Sequence, residues 1–208
     1  MGIEGRASDT GYRAARDFFD GLGSISRGAP PFNRPTGVAL SSSGDIYVSD
    51  GYGNARVHKF SPEGELLLSW GEPGPAPGQF RLPHFIRVDK NDRVWVADRE
   101  NSRLQIFNAN GEFITQWTDL IRPTDMCIDG NDIVYVTELC LRISIFSYDG
   151  TLLARWGNEQ HPVDAPLFIA PHTVAVDSRG DIYIGEVSMA HSKTDRGPST
   201  IQKFALCS

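Results

Sequence analysis

The sequence predicts an all-β chain, built as a β-propeller from four-stranded antiparallel blades. Four prolines recur at separations of 48, 40 and 48 residues: Pro35, Pro83, Pro123 and Pro171. An aromatic residue stands 12 positions after each proline, at Tyr47, Trp95, Tyr135 and Tyr183. A carboxylate stands 15 positions after each one, at Asp50, Asp98, Glu138 and Glu186. Repeats of this length that contain short strands are typical of propeller blades.

The first repeat, at about 33–71, shows how the strands are recognised. Its segments VALSS, DIYVSD, RVHKFS and LLLSWG are short and rich in β-branched and aromatic residues. The turn at 61–64, SPEG, predicts a hairpin between the third and fourth strands. No apolar period of 3.6 residues supports a helical solenoid.

The next two repeats, at about 81–118 and 121–157, follow the same plan and also end in tryptophan, as the first does at Trp70. The last repeat, at about 169–206, offers only three strand segments, HTVAV, DIYIGE and TIQKFAL. An incomplete blade leaves an open strand edge, through which the chain could associate with itself.

Residues 1–32 lack any strand pattern and are expected to form a tag-like, irregular segment. IEGR at 3–6 resembles a protease-site linker, so the native N-terminus and the compartment are not readable from the sequence. The segment AARDFF at 14–19 is a short helix candidate. No signal peptide is visible, because the first residues contain no apolar core.

Composition excludes several kinds of partner. The formal net charge is −6 and no cluster of Lys and Arg supplies the basic field that a nucleic-acid partner requires. No run of about 18 apolar residues predicts a membrane span. The cysteines, at 127, 140 and 207, are scattered and indicate neither a disulfide framework nor a zinc knuckle.

The motifs resemble those of a known family. Residues 98–107, DRENSRLQIF, resemble the core of an NHL repeat, and 50–57, DGYGNARV, is the same pattern with one extra glycine. The longer strings WGEPGPAPGQF and LPHFI are similar to the peptidyl-α-hydroxyglycine α-amidating lyase module and its bacterial relatives. The resemblance covers about 33–206 and implies a six-bladed ring, of which four blades are present. A closed four-bladed ring and the association of two chains remain alternatives.

Four side chains are expected on one face of the blades, near the propeller axis. In an up-and-down blade, the start of the first strand and the loop after the second strand emerge on the same side. That places His84, His172, Tyr52 and Arg99 together. Two histidines at the same repeat position suit a divalent metal such as zinc. The alternative is that both imidazoles form ordinary hydrogen bonds in a polar channel.

The resemblance implies roles for these residues. Three channel histidines bind zinc in the lyase family, and His84 and His172 match two of them. Tyr52 matches the family's base, and Arg99 matches an arginine near the substrate. The family's calcium-binding Asp is replaced by Thr173, so a calcium site is doubtful. With no third histidine, the chain is expected to bind zinc weakly.

Two functions follow as expectations. The first is a zinc-dependent, amidating-lyase-like propeller that cleaves a carbinolamide and releases glyoxylate, or an inactive shortened form of one. The second is a non-catalytic NHL propeller that binds a peptide or a protein. The partner is therefore a peptide-like small substrate or a protein, with no nucleic acid and no membrane span.

Overall fold

A computed structural model describes residues 4–157 and 166–205. The chain forms two compact units, which divide between Thr118 and Asp119. The strands of the described residues pair as antiparallel neighbours in four sheets, two in each unit. Within each sheet the strands lie in the order of the chain. No described helix is both long enough and apolar enough to cross a membrane.

Unit 1 contains one short helix and two four-stranded sheets. The helix is α1 (Phe18–Gly23). The first sheet consists of β1 (Pro35–Leu40), β2 (Ile46–Asp50), β3 (Arg56–Phe60) and β4 (Leu66–Trp70). The second sheet consists of β5 (Pro83–Val88), β6 (Val94–Asp98), β7 (Arg103–Phe107) and β8 (Phe113–Trp117). A single 3₁₀ turn, Arg99–Asn101, follows β6.

Unit 2 contains one four-stranded sheet and one sheet with three described strands. The former consists of β9 (Pro123–Ile128), β10 (Ile133–Glu138), β11 (Arg142–Ser147) and β12 (Leu152–Gly157). The latter consists of β13 (Pro171–Val176), β14 (Ile182–Glu186) and β15 (Ile201–Phe204). The short helix α2 (Ser188–Ser192) and a 3₁₀ turn (Gly197–Thr200) separate β14 from β15. The all-β prediction is confirmed, and each recurring proline begins the first strand of a sheet.

The recurring carboxylates hold each blade together. Each one accepts a hydrogen bond from a backbone amide shortly before the proline of its own blade, from Asn33, Arg81, Ile121 and Ile169. Arg103 and Arg142 also pair with the carboxylates of their blades, at 2.9 Å each, whereas Arg56 pairs with Glu72. The recurring carboxylates therefore act as structural acceptors. Burial without such donors would be costly for a carboxylate.

Two of the recurring tryptophans pack against aromatic side chains of the neighbouring blade. Trp70 at the end of β4 lies with its ring centroid 5.7 Å from Phe107 of the second sheet and 6.3 Å from Tyr47 of its own. In unit 2, Trp156 lies 5.5 Å from Phe204 of the last sheet. Aromatic side chains at these positions thus fill the space between neighbouring blades of one unit.

The segment before the first blade folds onto unit 1. The Thr10 hydroxyl donates to the Gly53 carbonyl at 2.6 Å, and Leu22 and Ile25 are buried in the core of this unit. Helix α1 begins after Asp17, whose carboxylate accepts from the backbone amides of the first turn. The helix lies later than the candidate at 14–19, because Asp17 is a strong N-cap residue.

One aspartate in unit 2 should contribute to stability only above strongly acidic pH. Although burial opposes its charge, hydrogen bonds from the Arg179 and Asp181 amides and from the Arg179 guanidinium lower the pKa of Asp177 to about 2. A carboxyl whose pKa is depressed in the folded state stabilises the fold above its usual pKa of 3.8, and this contribution is lost as the pH falls towards 2. Asp177→Asn should therefore flatten the decline of stability between those values.

Urea unfolding at a series of acidic pH values, followed by tryptophan fluorescence, measures this decline. Asp195→Asn, at an exposed position of the same unit, is the matched control. An acid slope that is the same in the wild type and in Asp177→Asn would show that the carboxylate has no such role.

Candidate functional site

Two repeat positions meet at one end of each sheet of unit 1. One is the second residue of the inner strand, which is Thr36 in β1 and His84 in β5. The other is the first residue after the second strand that is not a glycine, which is Tyr52 after β2 and Arg99 after β6. The Tyr52 and Arg99 amides donate to the carbonyl just before the proline of their own blade, at 3.4 and 3.0 Å. The backbone thus fixes each loop against the strand that starts beside it.

Tyr52, His84 and Arg99 form one cluster. The Tyr52 hydroxyl lies 3.2 Å from His84 Nε2 and accepts a hydrogen bond from Arg99 Nη1 at 3.3 Å. His84 and Arg99 are only 6% and 5% exposed, and Tyr52 is half-buried. The structure therefore brings together three of the four residues that the sequence singled out.

Arg99 already has partners on several sides. Its Nε donates to the Glu100 carboxylate at 2.8 Å, and its guanidinium carbon lies 5.5 Å from the Phe18 ring and 5.6 Å from the Tyr52 ring. Its Nη2 makes no hydrogen bond to a described residue. This donor is the part of Arg99 that a further anion could reach.

A close backbone approach places Tyr52 beside His84. Gly51 packs against Pro83, the residue before His84, so tightly that a Cβ atom would lie 2.5 Å from the Pro83 carbonyl oxygen. No side chain fits there without movement of one of the two segments. Gly51 is the extra glycine by which the first repeat differs from the second, and its requirement is therefore steric.

Gly51→Ala should separate the two halves of the cluster. The methyl group would push the loop that carries Tyr52 away from the start of β5, lengthening the 3.2 Å contact between Tyr52 and His84. Misplacement of about 1 Å can cost on the order of a hundredfold in rate. We therefore expect a fall of about tenfold or more in any reaction that uses both residues.

Steady-state kinetics of glyoxylate release measure this loss. Gly130→Ala, where a new Cβ meets nothing within 4 Å, is the control and should keep full activity. Unchanged kinetics in Gly51→Ala, with the mutant folded by circular dichroism, would rule out this steric requirement.

The threonines that alternate with the histidines have a structural role. Thr36 donates to the carbonyl of Pro83 at 2.6 Å, and Thr124 donates to that of Pro171 at 3.1 Å. Each threonine thus ties the first strand of its blade to the start of the next blade. The histidines occupy the equivalent position in the second blade of each unit.

Unit 2 lacks the polar loop residues of unit 1. At the positions of Tyr52 and Arg99 it has Leu139 and Val187, whose amides make the equivalent backbone bonds at 3.1 and 3.0 Å. His172 is the second residue of β13 and is half-buried. At these two repeat positions, the side chains that could take part in a reaction therefore lie in unit 1, apart from His172.

The described residues offer few side-chain donors for the predicted metal sites. Among residues 4–157 and 166–205, no three or more His, Cys, Asp or Glu side chains group so as to hold a metal ion. Thr173, at the position of the family's calcium ligand, donates its hydroxyl to Asp125 Oδ2 at 2.6 Å. The buried Asp125 carboxylate also accepts from the Val174 and Met126 amides. The zinc ligands His84 and His172 stay a prediction.

Sequence reasoning missed the contribution of the N-terminal segment to this cluster. The Phe18 ring lies 6.1 Å from the Tyr52 ring, and the Arg81 guanidinium lies 6.0 Å from the Phe19 ring. Phe18 and Phe19 are 39% and 46% exposed. The signal available in the sequence was this pair of large apolar residues directly after the capping Asp17.

Comparison with known proteins identifies the repeats. The model of the NHL repeat matches residues 32–60 and 80–107. The chain is an NHL-repeat protein. It is 42% identical over 198 residues to peptidyl-alpha-hydroxyglycine alpha-amidating lyase 1 of Drosophila melanogaster, covering 83% of this chain and 35% of that protein. It is also 32% identical over 192 residues to rat peptidylglycine alpha-amidating monooxygenase, covering 84% of this chain and 18% of that protein.

A third relative carries NHL repeats in its name. NHL repeat-containing protein 3 of Mus musculus is 39% identical over 182 residues, which cover 83% of this chain and 50% of that protein. The NHL-repeat chain thus spans half or less of the length of each of these relatives. It is homologous to the amidating lyases, in agreement with the resemblance that its motifs show.

Solved structures agree on the fold. A streptogramin B lyase structure matches with a TM-score of 0.59 at 17% identity, over 84% of this chain and 55% of that one. The computationally designed Ika4 protein matches with a TM-score of 0.58 at 12% identity, over 86% of this chain and 96% of that one. At such low identity these likenesses show the β-propeller fold alone. The number of blades in the complete ring stays a prediction.

Proposed function

We propose that this NHL-repeat propeller is an amidating-lyase-like enzyme that cleaves a peptidyl-α-hydroxyglycine into a peptide amide and glyoxylate. The cluster of Tyr52, His84 and Arg99 is the observation that carries this proposal. These three residues stand at the positions that the resemblance implies, and the Tyr52 hydroxyl lies 3.3 Å from Arg99 Nη1 and 3.2 Å from His84 Nε2.

Tyr52 is the group that moves the proton. Its oxygen takes the proton of the substrate's carbinol hydroxyl, and the O–H electron pair becomes the new C=O bond of glyoxylate. The C–N bond breaks with its electron pair on nitrogen, which receives the proton from Tyr52 and becomes the amide NH₂. Atoms and charge balance without another reactant. Arg99 holds the Tyr52 oxygen by a hydrogen bond from one side, and His84 contacts it from the other.

Arg99 also suits the carboxylate of the reacting residue. Its Nη2 is the donor with no bond to a described residue, and it lies on the same guanidinium as the Nη1 that contacts Tyr52. A carboxylate bound there would sit next to the phenol oxygen. Since Glu100 already neutralises part of the charge through Nε, Arg99 would position the substrate through hydrogen bonds more than through net charge.

Zinc enters the proposal through the resemblance, with His84 and His172 as its histidine ligands. A catalytic zinc site has three protein ligands, and the described residues do not group three such side chains. The described donor set therefore does not fit a complete zinc site. The steps above are accordingly derived from Tyr52, Arg99 and His84 alone.

The test is glyoxylate release by the purified chain from N-acetyl-phenylalanyl-α-hydroxyglycine, with added zinc and with a chelator. We expect release above the uncatalysed rate, and a large loss of that release in His84→Ala. His191→Ala, at an exposed position in α2, is the control. No release under either condition would overturn the enzymatic proposal.

The alternative is a non-catalytic propeller that binds a peptide or protein partner. Val187, which follows β14 in unit 2, favours it, because this half-buried apolar side chain offers contact surface and no reactive group. NHL repeat-containing protein 3 and the Drosophila protein named brain tumor, which is 30% identical over 135 residues, are relatives of the same repeat type. Peptide binding without glyoxylate release would select this function.

A further inference from the structure

A cavity of about 300 Å³ opens beside Tyr52. The N-terminal segment forms one wall, with Tyr12, Ala15, Phe18 and Leu22, and the loops of the first blade form the other, with Arg34 and Tyr52. Tyr52 therefore contributes to the cavity and to the cluster with His84 and Arg99. A group bound in the cavity would lie next to the phenol.

The size and lining of the cavity suit a single uncharged side chain. Ligand pockets usually span about 300–1,000 Å³, so this cavity lies at the lower end and would hold one residue, not a whole peptide. Three aromatic rings, from Tyr12, Phe18 and Tyr52, and the Leu22 side chain line it. These rings and the leucine side chain favour an aromatic or aliphatic occupant.

The charges around the cavity disfavour a cation. Arg16 and Arg34 line it together with one carboxylate, Asp17, which already caps α1 by accepting from the Phe19 amide at 2.8 Å. Arg34 lies 4.7 Å from the Tyr12 ring centroid and donates to its hydroxyl at 2.8 Å. Neither arginine forms an ion pair with a described carboxylate. A lysine or arginine side chain would thus meet two like charges.

We propose that this cavity is the specificity subsite for the residue that precedes the α-hydroxyglycine, and that it selects aromatic and aliphatic side chains over cationic ones. The proposal rests on the proposed lyase function, because it orients the substrate with its carbinol at Tyr52. The N-terminal segment is then part of the substrate-binding surface of the enzyme.

The kinetic test compares glyoxylate release from N-acetyl-phenylalanyl-α-hydroxyglycine and N-acetyl-lysyl-α-hydroxyglycine. We expect kcat/KM to favour the phenylalanyl substrate by about tenfold or more, a typical discrimination for one apolar pocket. Ala15→Trp, which fills the cavity from an exposed position, should reduce this preference towards unity. Ala14→Trp, exposed and outside the lining, should preserve it.

A binding measurement separates this inference from the lyase function. The product amides N-acetyl-phenylalaninamide and N-acetyl-lysinamide are titrated into the wild type and both tryptophan variants by calorimetry. Preferential binding of the phenylalanine amide that Ala15→Trp abolishes and Ala14→Trp retains supports the subsite, even if no glyoxylate forms. Equal binding of the two amides, or the same loss in both variants, would overturn it.

Discussion

Replacement of Tyr52 by phenylalanine is expected to lower kcat for glyoxylate release by about 10²–10⁴-fold, the range for loss of a positioned acid–base group. The substitution removes only the hydroxyl, which contacts His84 Nε2 and Arg99 Nη1. The ring keeps its edge contacts with Phe18 and His84 at 6.1 and 5.8 Å. KM should change little, because the ring that lines the cavity remains.

The measurement is steady-state glyoxylate formation with the phenylalanyl substrate, normalised to folded protein. Tyr183→Phe is the matched control, since it removes a half-buried hydroxyl that bonds Asp177 at 3.2 Å in unit 2. It should retain nearly full activity. If Tyr52→Phe keeps more than about a tenth of the wild-type kcat, another group moves the proton and the assignment of Tyr52 is wrong.

The fold was predictable because its signals are repeated. The prolines, aromatic residues and carboxylates recur at fixed offsets, and the prolines and carboxylates have the same structural task in every blade. A single instance would have been ambiguous, whereas four copies at one register leave few alternatives. Each carboxylate accepts a hydrogen bond from the backbone amide two residues before the proline. This bond explains why Asp98 and Glu138 must keep their spacing from that proline.

The site was predictable only in part. Blade topology places Tyr52, His84 and Arg99 on one side, and the structure brings them into contact. Contacts between residues that lie far apart in the sequence leave no pattern from which they could be predicted. The close packing of Gly51 against Pro83 and of the Phe18 ring against the Arg99 guanidinium depends on the tertiary structure. Residues that look like a tag by composition can supply such contacts once they bury Leu22 and Ile25.

Removal of the Asp98 carboxylate is expected to destabilise unit 1 by about 3–5 kcal/mol, the range for breaking one partner of a buried ion pair. Its oxygens accept from the Arg81 amide, Asn101 Nδ2 and Arg103 Nε at 2.7, 2.8 and 2.9 Å. Burial raises the pKa of this carboxyl, and those donors oppose the rise. In Asp98→Ala the Arg103 guanidinium, 4% exposed, would lose its only carboxylate partner among the described residues.

The loss should spread beyond the pair itself, because Arg103 also donates to the carbonyls of Pro75, Ala76 and Gln79. The loop before β5 is thereby held by the same guanidinium that Asp98 orients. Denaturant unfolding followed by tryptophan fluorescence measures the effect. Asp9→Ala, which breaks an exposed ion pair with Arg27 in the same unit, should cost at most about 1 kcal/mol. Equal losses of stability in the two variants would mean that Asp98 contributes no more than an exposed surface charge. The hydrogen bonds of the buried carboxylate would then add nothing to the stability of the blade.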